Sequence, residues 1–264
     1  MLRFYLAVAQ TAYRRVLLYR WANLAGLLTN VFFGAIFCYV YIALFQARHA
    51  PGGFDLRDTL RYIWLVQAMV MVVLRFGWYD LMLTIRSGEV VADLSKPCDF
   101  TWYWFSREAG NSLYYLLFRG IPTYLAGVLL FGIGAPGDWH VWPLYVLSLT
   151  LGAALGIAFR FIYNVVAFWL LEARAMGTMA STVALFFAGS YVPIPLMPVW
   201  LRAIVTWLPF NGMLNVPAEV FSGKLAGQTI AVELARQALW LVALTLVARA
   251  LTRAAGRRVV LQGG

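Results

Sequence analysis

Between Gly189 and Lys224 the chain reads GSYVPIPLMPVWLRAIVTWLPFNGMLNVPAEVFSGK, apolar enough for a lipid bilayer yet carrying five of the chain's ten prolines. Pro193, Pro195, Pro198, Pro209 and Pro217 each remove a backbone donor and fix φ, which excludes one straight helix across the stretch. Backbone freed at membrane depth survives only when packed in protein or lining a cavity. The segment is therefore expected to enter the membrane and turn back, as a re-entrant helical hairpin over 189–227.

The rest of the chain supplies the membrane context. Hydrophobic residues make up 62% of the 264 and charged residues 12%, too little polar surface to cover a soluble domain. With about twenty apolar residues needed per crossing, spans are expected near 22–45, 59–83, 112–133, 143–171, 176–192 and 228–250. The expected fold is all-α: a polytopic membrane protein with six transmembrane helices in one domain over 1–264. Residues 1–20 place Arg3, Gln10, Arg14 and Arg15 on one helical face and apolar side chains on the rest, the pattern of an interfacial helix. A signal peptide is the competing reading, but the run Ala22 to Phe45 is too long for one and lacks a small-residue cleavage site.

Outside the spans, twelve Lys and Arg fall on the side of the termini, from Arg3 to Arg258, against Arg48, Arg57, Arg61, Arg202, Lys224 and Arg236 opposite. By the positive-inside bias both termini are cytoplasmic, the loop over 84–107 with them, and the hairpin is extracytoplasmic. Basic residues scattered at helix ends also argue against nucleic acid, despite the net charge of +10.

Within the loop, Gly88, Glu89, Val90, Asp93 and Leu94 belong to a short helix that Ser87 can cap and Pro97 ends. Glu89 and Asp93 lie one turn apart, and Val90, Val91 and Leu94 could enter a partner's groove; a solvated connecting helix is the alternative. Arg75, Asp80, Arg119 and Arg160 fall inside expected spans, where charge is costly. Arg75 is read as structural, paired with Asp80 or Glu172. Arg119 and Arg160, with Asn164 one turn beyond Arg160, either line a polar cavity or form a buried structural pairing. Tyr62, Trp64, Trp104, Trp139, Trp200 and Trp207 read as interfacial anchors, and phenylalanines within spans such as Phe186 and Phe187 as packing. Gly152 and Gly156 form a G-x-x-x-G that permits close helix approach, within or between subunits.

Catalytic signatures are missing. Cys38 and Cys98 lack metal-ligand spacing, His49 and His140 sit in loops, and no G-x-x-x-x-G-K-[ST] occurs. No cofactor or metal is expected on the chain, and ATP-driven work needs a partner.

The order of these parts resembles the permease subunit of ABC transporters of the ABC-2 type, across nearly the whole chain. The resemblance rests on the helix at 1–20, the loop IRSGEVVADLSKP, and above all the run FFAGSYVPIPLMPVWLRAIVTWLPFNGMLNVPAEVFSGKL before the last span. Met197-Pro198-Val199-Trp200-Leu201 stands where the family commonly has a Leu-Pro pair. Within the family it looks most like small six-span bacterial permeases of the inner membrane, encoded with a separate ATPase and often a second permease.

The resemblance implies a subunit of an ATP-driven exporter that moves a lipophilic or amphipathic compound, drug or lipid, with ATP and Mg on two copies of the partner ATPase. The helix at Gly88 to Leu94 would couple to that ATPase. Two permeases, a heterodimer rather than a homodimer, would enclose the pathway among membrane lipids, with spans 2 and 5 near their seam. The hairpin, with Pro193, Pro195, Pro198, Trp200, Pro209 and Phe210, would close its outer end. An assembly or regulatory subunit without transport, or a polytopic membrane enzyme, are the alternative readings.

Overall fold

A computed structural model describes residues 1–47, 54–75, 77–170 and 173–257. Expectations placed on Arg48, His49, Glu172 and Arg258 lie outside the described residues. Among those described, all regular structure is helical and no strand occurs, as the apolar periodicity required.

Helix α1 (Leu2–Leu17) is followed after a short turn by α2 (Arg20–Ala47), then α3 (Leu56–Val73), α4 (Asp80–Arg86) and α5 (Val90–Leu94). Helix α6 (Phe100–Tyr115) runs through a single π-helical turn (Leu116–Gly120) into α7 (Ile121–Phe131). Next come α8 (Val141–Val165), α9 (Ala173–Phe187), α10 (Val199–Val205), α11 (Asn211–Phe221) and α12 (Gln228–Gly256). Asp55 caps α3 by accepting from the Asp58 N–H at 2.7 Å, and Asp99 caps α6 by accepting from Trp102 at 3.0 Å.

Among the described residues four helices are long and apolar enough to cross a membrane: Trp21–Ala47, Phe100–Phe131, Val141–Phe168 and Gln228–Gly256. The stretch expected as a second span, 59–83, is not one helix. It stops at Val73, passes through irregular backbone in which Gly77 takes a φ of +75°, and resumes as α4. The loop expected over 84–107 is also shorter, because α4 reaches Arg86 and α6 starts at Phe100.

The π turn has a local cause. Pro122 has no N–H to give the carbonyl of Phe118 and its ring crowds that carbonyl, so the preceding turn widens instead of breaking the helix.

Helices α3, α8 and α11 form the inside of the bundle. Helix α3 is buried nearly all round, from Thr59 to Val73, among α2, α7 and α11. Helix α8 packs against α11 and α12 on one side and α6 and α4 on another. Half of the most apolar stretch of α8 is buried, against 6% of that of α12, so α12 presents its leucines and valines outward. An apolar surface of that extent is compatible with lipid or another subunit and not with water.

Close approach is made by glycines within the chain. A side chain at Gly152 would meet the Met213 carbonyl of α11, one at Gly156 the Val73 carbonyl of α3, and one at Gly110 the Ala9 backbone of α1. The G-x-x-x-G of α8 therefore serves contacts inside this subunit.

Burial corrects part of the aromatic reading. Tyr62, Trp64 and Trp104 are fully buried core residues, whereas Trp21, Trp139, Trp200 and Trp207 are exposed.

Candidate functional site

The break between α3 and α4 is held by side chains from the neighbouring helices. Ending a helix at Val73 leaves its last carbonyls without intrahelical partners, and in an apolar interior each must be satisfied. Ser112 of α6 donates to the Val72 carbonyl at 2.8 Å, and the buried Arg160 guanidinium of α8 donates to that of Val73. Asn164, one turn after Arg160, donates to the Trp78 carbonyl at 3.3 Å and accepts from the Met82 N–H at 3.0 Å. Arg160 and Asn164 thus clamp the two ends of the interruption.

The charge on Arg160 is balanced by a residue the sequence reading passed over. Glu108 of α6 is almost fully buried, and its carboxylate lies 3.2 Å from Arg75 and 3.5 Å from Arg160. Asn111, one turn on, donates to the same carboxylate at 2.7 Å. Burying a carboxylate is tolerable only with such partners, since an unpaired charge in a low-dielectric interior costs several kcal/mol. Arg75 therefore meets Glu108, and not Asp80 as expected. The interruption takes Asp80 out of register with Arg75, and Asp80 turns to Arg15 at 3.2 Å and Arg107 at 3.5 Å.

Arg119 sits elsewhere, in the π turn. Its guanidinium donates to the Gly26 carbonyl at 2.8 Å and to Asn30 Oδ1 at 2.7 Å, and Asn30 in turn donates to the Gln67 carbonyl at 3.0 Å. The guanidinium occupies the space that a side chain at Gly26 would fill. This relay joins α2, the π turn and α3. Arg119 is half-buried while Arg160 is closed off, so the two expected pathway arginines do not share a site.

At the end of the bundle that carries the termini lies α5. Gly88, with φ of +80°, turns the chain out of α4, and a side chain there would touch nothing, so its role is conformational. Val90 is buried in the subunit's own core beside Trp78, Leu81 and Trp104, and Leu94 packs against the same cluster. Glu89, Val91 and Ala92 face outward. Asp93 is bound by Lys96 at 2.6 Å, and Lys96 also donates to the Tyr103 hydroxyl at 2.9 Å. Burial works against the Lys96 charge, but these oxygen partners outweigh it and hold the ammonium above its ordinary pKa. Asp99 fastens both terminal helices to this loop: its N–H donates to the Tyr5 hydroxyl at 3.2 Å and its carboxylate meets Arg249 at 3.1 Å.

The proline-rich segment occupies the opposite end. Helix α9 closes with the Ser190 N–H donating to the Leu185 carbonyl and Gly189 at φ of +86°, the Schellman arrangement. Pro193 and Pro195 are buried, and Pro198 opens α10, whose Val199, Trp200 and Ile204 are exposed. Pro209 is buried, and Phe210 packs between Phe159 and Phe187. Helix α11 is then buried almost throughout, with Pro217 in its interior. Its polar residues are joined: Tyr62 donates to Asn215 Oδ1 at 2.9 Å, and Asn215 donates to Asn211 at 2.9 Å and Glu219 at 3.2 Å. Gln237 of α12 donates to the Gly212 carbonyl at 2.7 Å. Lys224, after α11, pairs with Asp58 at the start of α3.

Glu108 and the α11 network were missed for identifiable reasons. Glu108 falls between the loop expected over 84–107 and the span expected from 112, and only Asp99, as a helix cap, signals that the helix starts earlier. Asn211, Asn215 and Glu219 recur at a spacing of four, which marks one helical face, but the surrounding prolines masked it.

No curated protein and no solved structure gives a significant match to the chain. A family model described as ABC-2 family transporter protein matches residues 31–263, nearly the whole bundle, including the clamp, the α5 loop and the proline-rich segment. The chain belongs to the ABC-2 family of transporter proteins.

Proposed function

We propose that this multi-pass membrane protein is the permease subunit of an ATP-driven exporter that moves a lipophilic or amphipathic compound out of the cytoplasm or the inner leaflet. Membership of the family makes it a transport membrane component and not itself an enzyme, and such permeases normally work with an ABC ATPase. The observation that carries the exporter reading is the separation of two features. The α5 loop, tied to both terminal helices through Asp99, lies at one end of the bundle, and the proline-rich segment, tied to Asp58 through Lys224, lies at the other.

In this reading the first end is cytoplasmic and receives two ATPase subunits, which carry ATP and Mg. Glu89, Val91 and Ala92 make the contact, while Val90 and Leu94 transmit it because they are packed into the core. The loop from Pro193 to Phe210 is the outer gate. Six crossings are completed by α3, of about 27 Å, and α9, of about 22 Å, shielded by the longer helices. Helix α9 also leaves Met176, Met179 and Val183 exposed, which suits the seam with a second permease, and a heterodimer is the preferred pairing. Arg119 faces the pathway side, and Arg160 and Asn164 act through the clamp on the α3–α4 break.

The test is whether a P-loop ATPase is encoded beside this chain and co-purifies with it. Reversing Glu89→Lys together with Val91→Asp is expected to abolish ATPase association and stimulated hydrolysis. If both persist, α5 is not the coupling element. Stimulation of the reconstituted complex by lipids compared with xenobiotic cations then separates the substrate classes.

A further inference from the structure

Beside the clamp, a cavity of about 660 Å³ opens between α1, α2, α4 and α6. Four guanidiniums line it, Arg15, Arg75, Arg107 and Arg119, against the two carboxylates of Asp80 and Glu89. These cations are short of anionic partners. Arg15 and Arg107 share a single oxygen of Asp80, at 3.2 and 3.5 Å, and Arg75 turns to the buried Glu108 behind the wall. Arg119 meets no carboxylate among the described residues, and its Nε is buried without a partner. Glu89 is exposed at the rim and makes no ion pair among the described residues.

Planar guanidiniums offering paired donors around one space fit tetrahedral oxyanions, which accept from several at once. A second hollow, of about 430 Å³, shares Arg15 and Arg107 with the first and is otherwise walled mainly by Phe4, Ala7, Val8 and Ala12 of α1. A cationic cavity beside a more apolar one, with two arginines lining both, has the two-part form of an amphiphile.

We propose that the cavity lined by Arg15, Arg75, Arg107 and Arg119 binds a phosphate-ester anion, the head group of an anionic lipid, with the acyl chain entering the adjoining hollow along α1. A phosphate supplies the counter-charge that Arg119 lacks among the described residues and that Arg15 and Arg107 divide between them. The site joins α1 to the backbone leading into α5, so its occupancy fixes the position of α1 against the coupling end. It stands on the cavity and not on coupling or transport, and binding is expected to survive in protein that has lost its ATPase contact.

The experiment uses the full-length protein reconstituted in phosphatidylcholine vesicles with a minor fraction of phosphatidate, followed by detergent extraction and mass spectrometry of retained lipid. Wild type is expected to retain phosphatidate over phosphatidylcholine, and Arg15→Gln and Arg119→Gln each to lower that retention about tenfold, the effect of losing one charge-assisted hydrogen bond. Arg14→Gln removes the same charge from the same helix but faces the groove lined by Leu6 and Leu113, so retention stays at the wild-type level. Because Arg119 also bonds α2, Arg15→Gln at its exposed side chain decides the matter should Arg119→Gln fail to fold. Displacement of phosphatidate by inorganic phosphate assigns the cavity to the phosphate group itself. Phosphatidate that inorganic phosphate leaves in place assigns it to the intact lipid, and either upholds an anion site. Wild-type retention in Arg15→Gln, or equal loss in Arg14→Gln, overturns it by reducing the effect to diffuse surface charge.

Discussion

Two interruptions in this bundle are built on opposite plans. From Pro193 to Pro209 the chain is interrupted by its own covalent structure: prolines withhold donors and short helices form between them, and α11, continuous through Pro217, follows with its polar face turned inward to Tyr62. Between Val73 and Asp80 there is no proline. That interruption is imposed from outside, by Ser112, Arg160 and Asn164, which take the backbone groups a continuous helix would have used. A proline break persists in any surroundings. One made by partners depends on those partners, so single side-chain changes in α6 and α8 can undo the α3–α4 junction in a way that they cannot undo the proline segment.

The contrast can be broken most forcefully at Glu108. Glu108→Ala leaves Arg75 and Arg160 buried without their common counter-charge, and a loss of about 3–5 kcal/mol is expected, read as a lowered unfolding midpoint in detergent. Asn215 joins Tyr62, Asn211 and Glu219 but carries no charge, so Asn215→Ala is expected to cost less, and an equal loss would erase the distinction. Next in size, Gly156→Ala presses a methyl group on the Val73 carbonyl at the clamp, whereas Gly152→Ala meets the Met213 carbonyl of α11 at 2.6 Å. Both are expected to destabilise by about 1–3 kcal/mol, with Gly156 the worse, and thermal unfolding of the two variants side by side checks the order.

Asn164→Ala strands the Met82 N–H and weakens the hold on Trp78, an expected loss of about 1–3 kcal/mol. Hydrogen exchange should rise in α4 before α11; the reverse order would place the weaker junction in the proline segment. The smallest effect belongs to Pro217→Ala. Helix α11 is already formed and buried, and stability should change by less than about 1 kcal/mol, read from the unfolding midpoint. A large loss there would mean that the proline itself, and not the packing, holds the segment.

Apolar runs of bilayer length and the punctuation by proline and glycine were legible because each acts over a few residues of its own chain. Arg160 and Asn164 could be singled out because charge and amide inside an apolar run demand partners. Their partners were not legible. Glu108 lies 52 positions before Arg160, and nothing local distinguishes it from a solvated glutamate at a loop end. Val90 likewise looked free to bind another protein until the core formed by Trp78, Leu81 and Trp104 claimed it.

By itself, then, the sequence determined that this chain is helical, apolar enough for a membrane, interrupted before its last helix, and of the ABC-2 family, because hydrophobic length, periodicity and backbone chemistry are properties of neighbouring residues. Only the tertiary structure decided that the second expected span breaks at Val73, that Glu108 joins Arg75 to Arg160, and that four arginines surround one cavity. Those outcomes depend on which carboxylates and carbonyls are brought within about 3 Å of one another, and in a low-dielectric interior that distance sets whether a buried charge is tolerable.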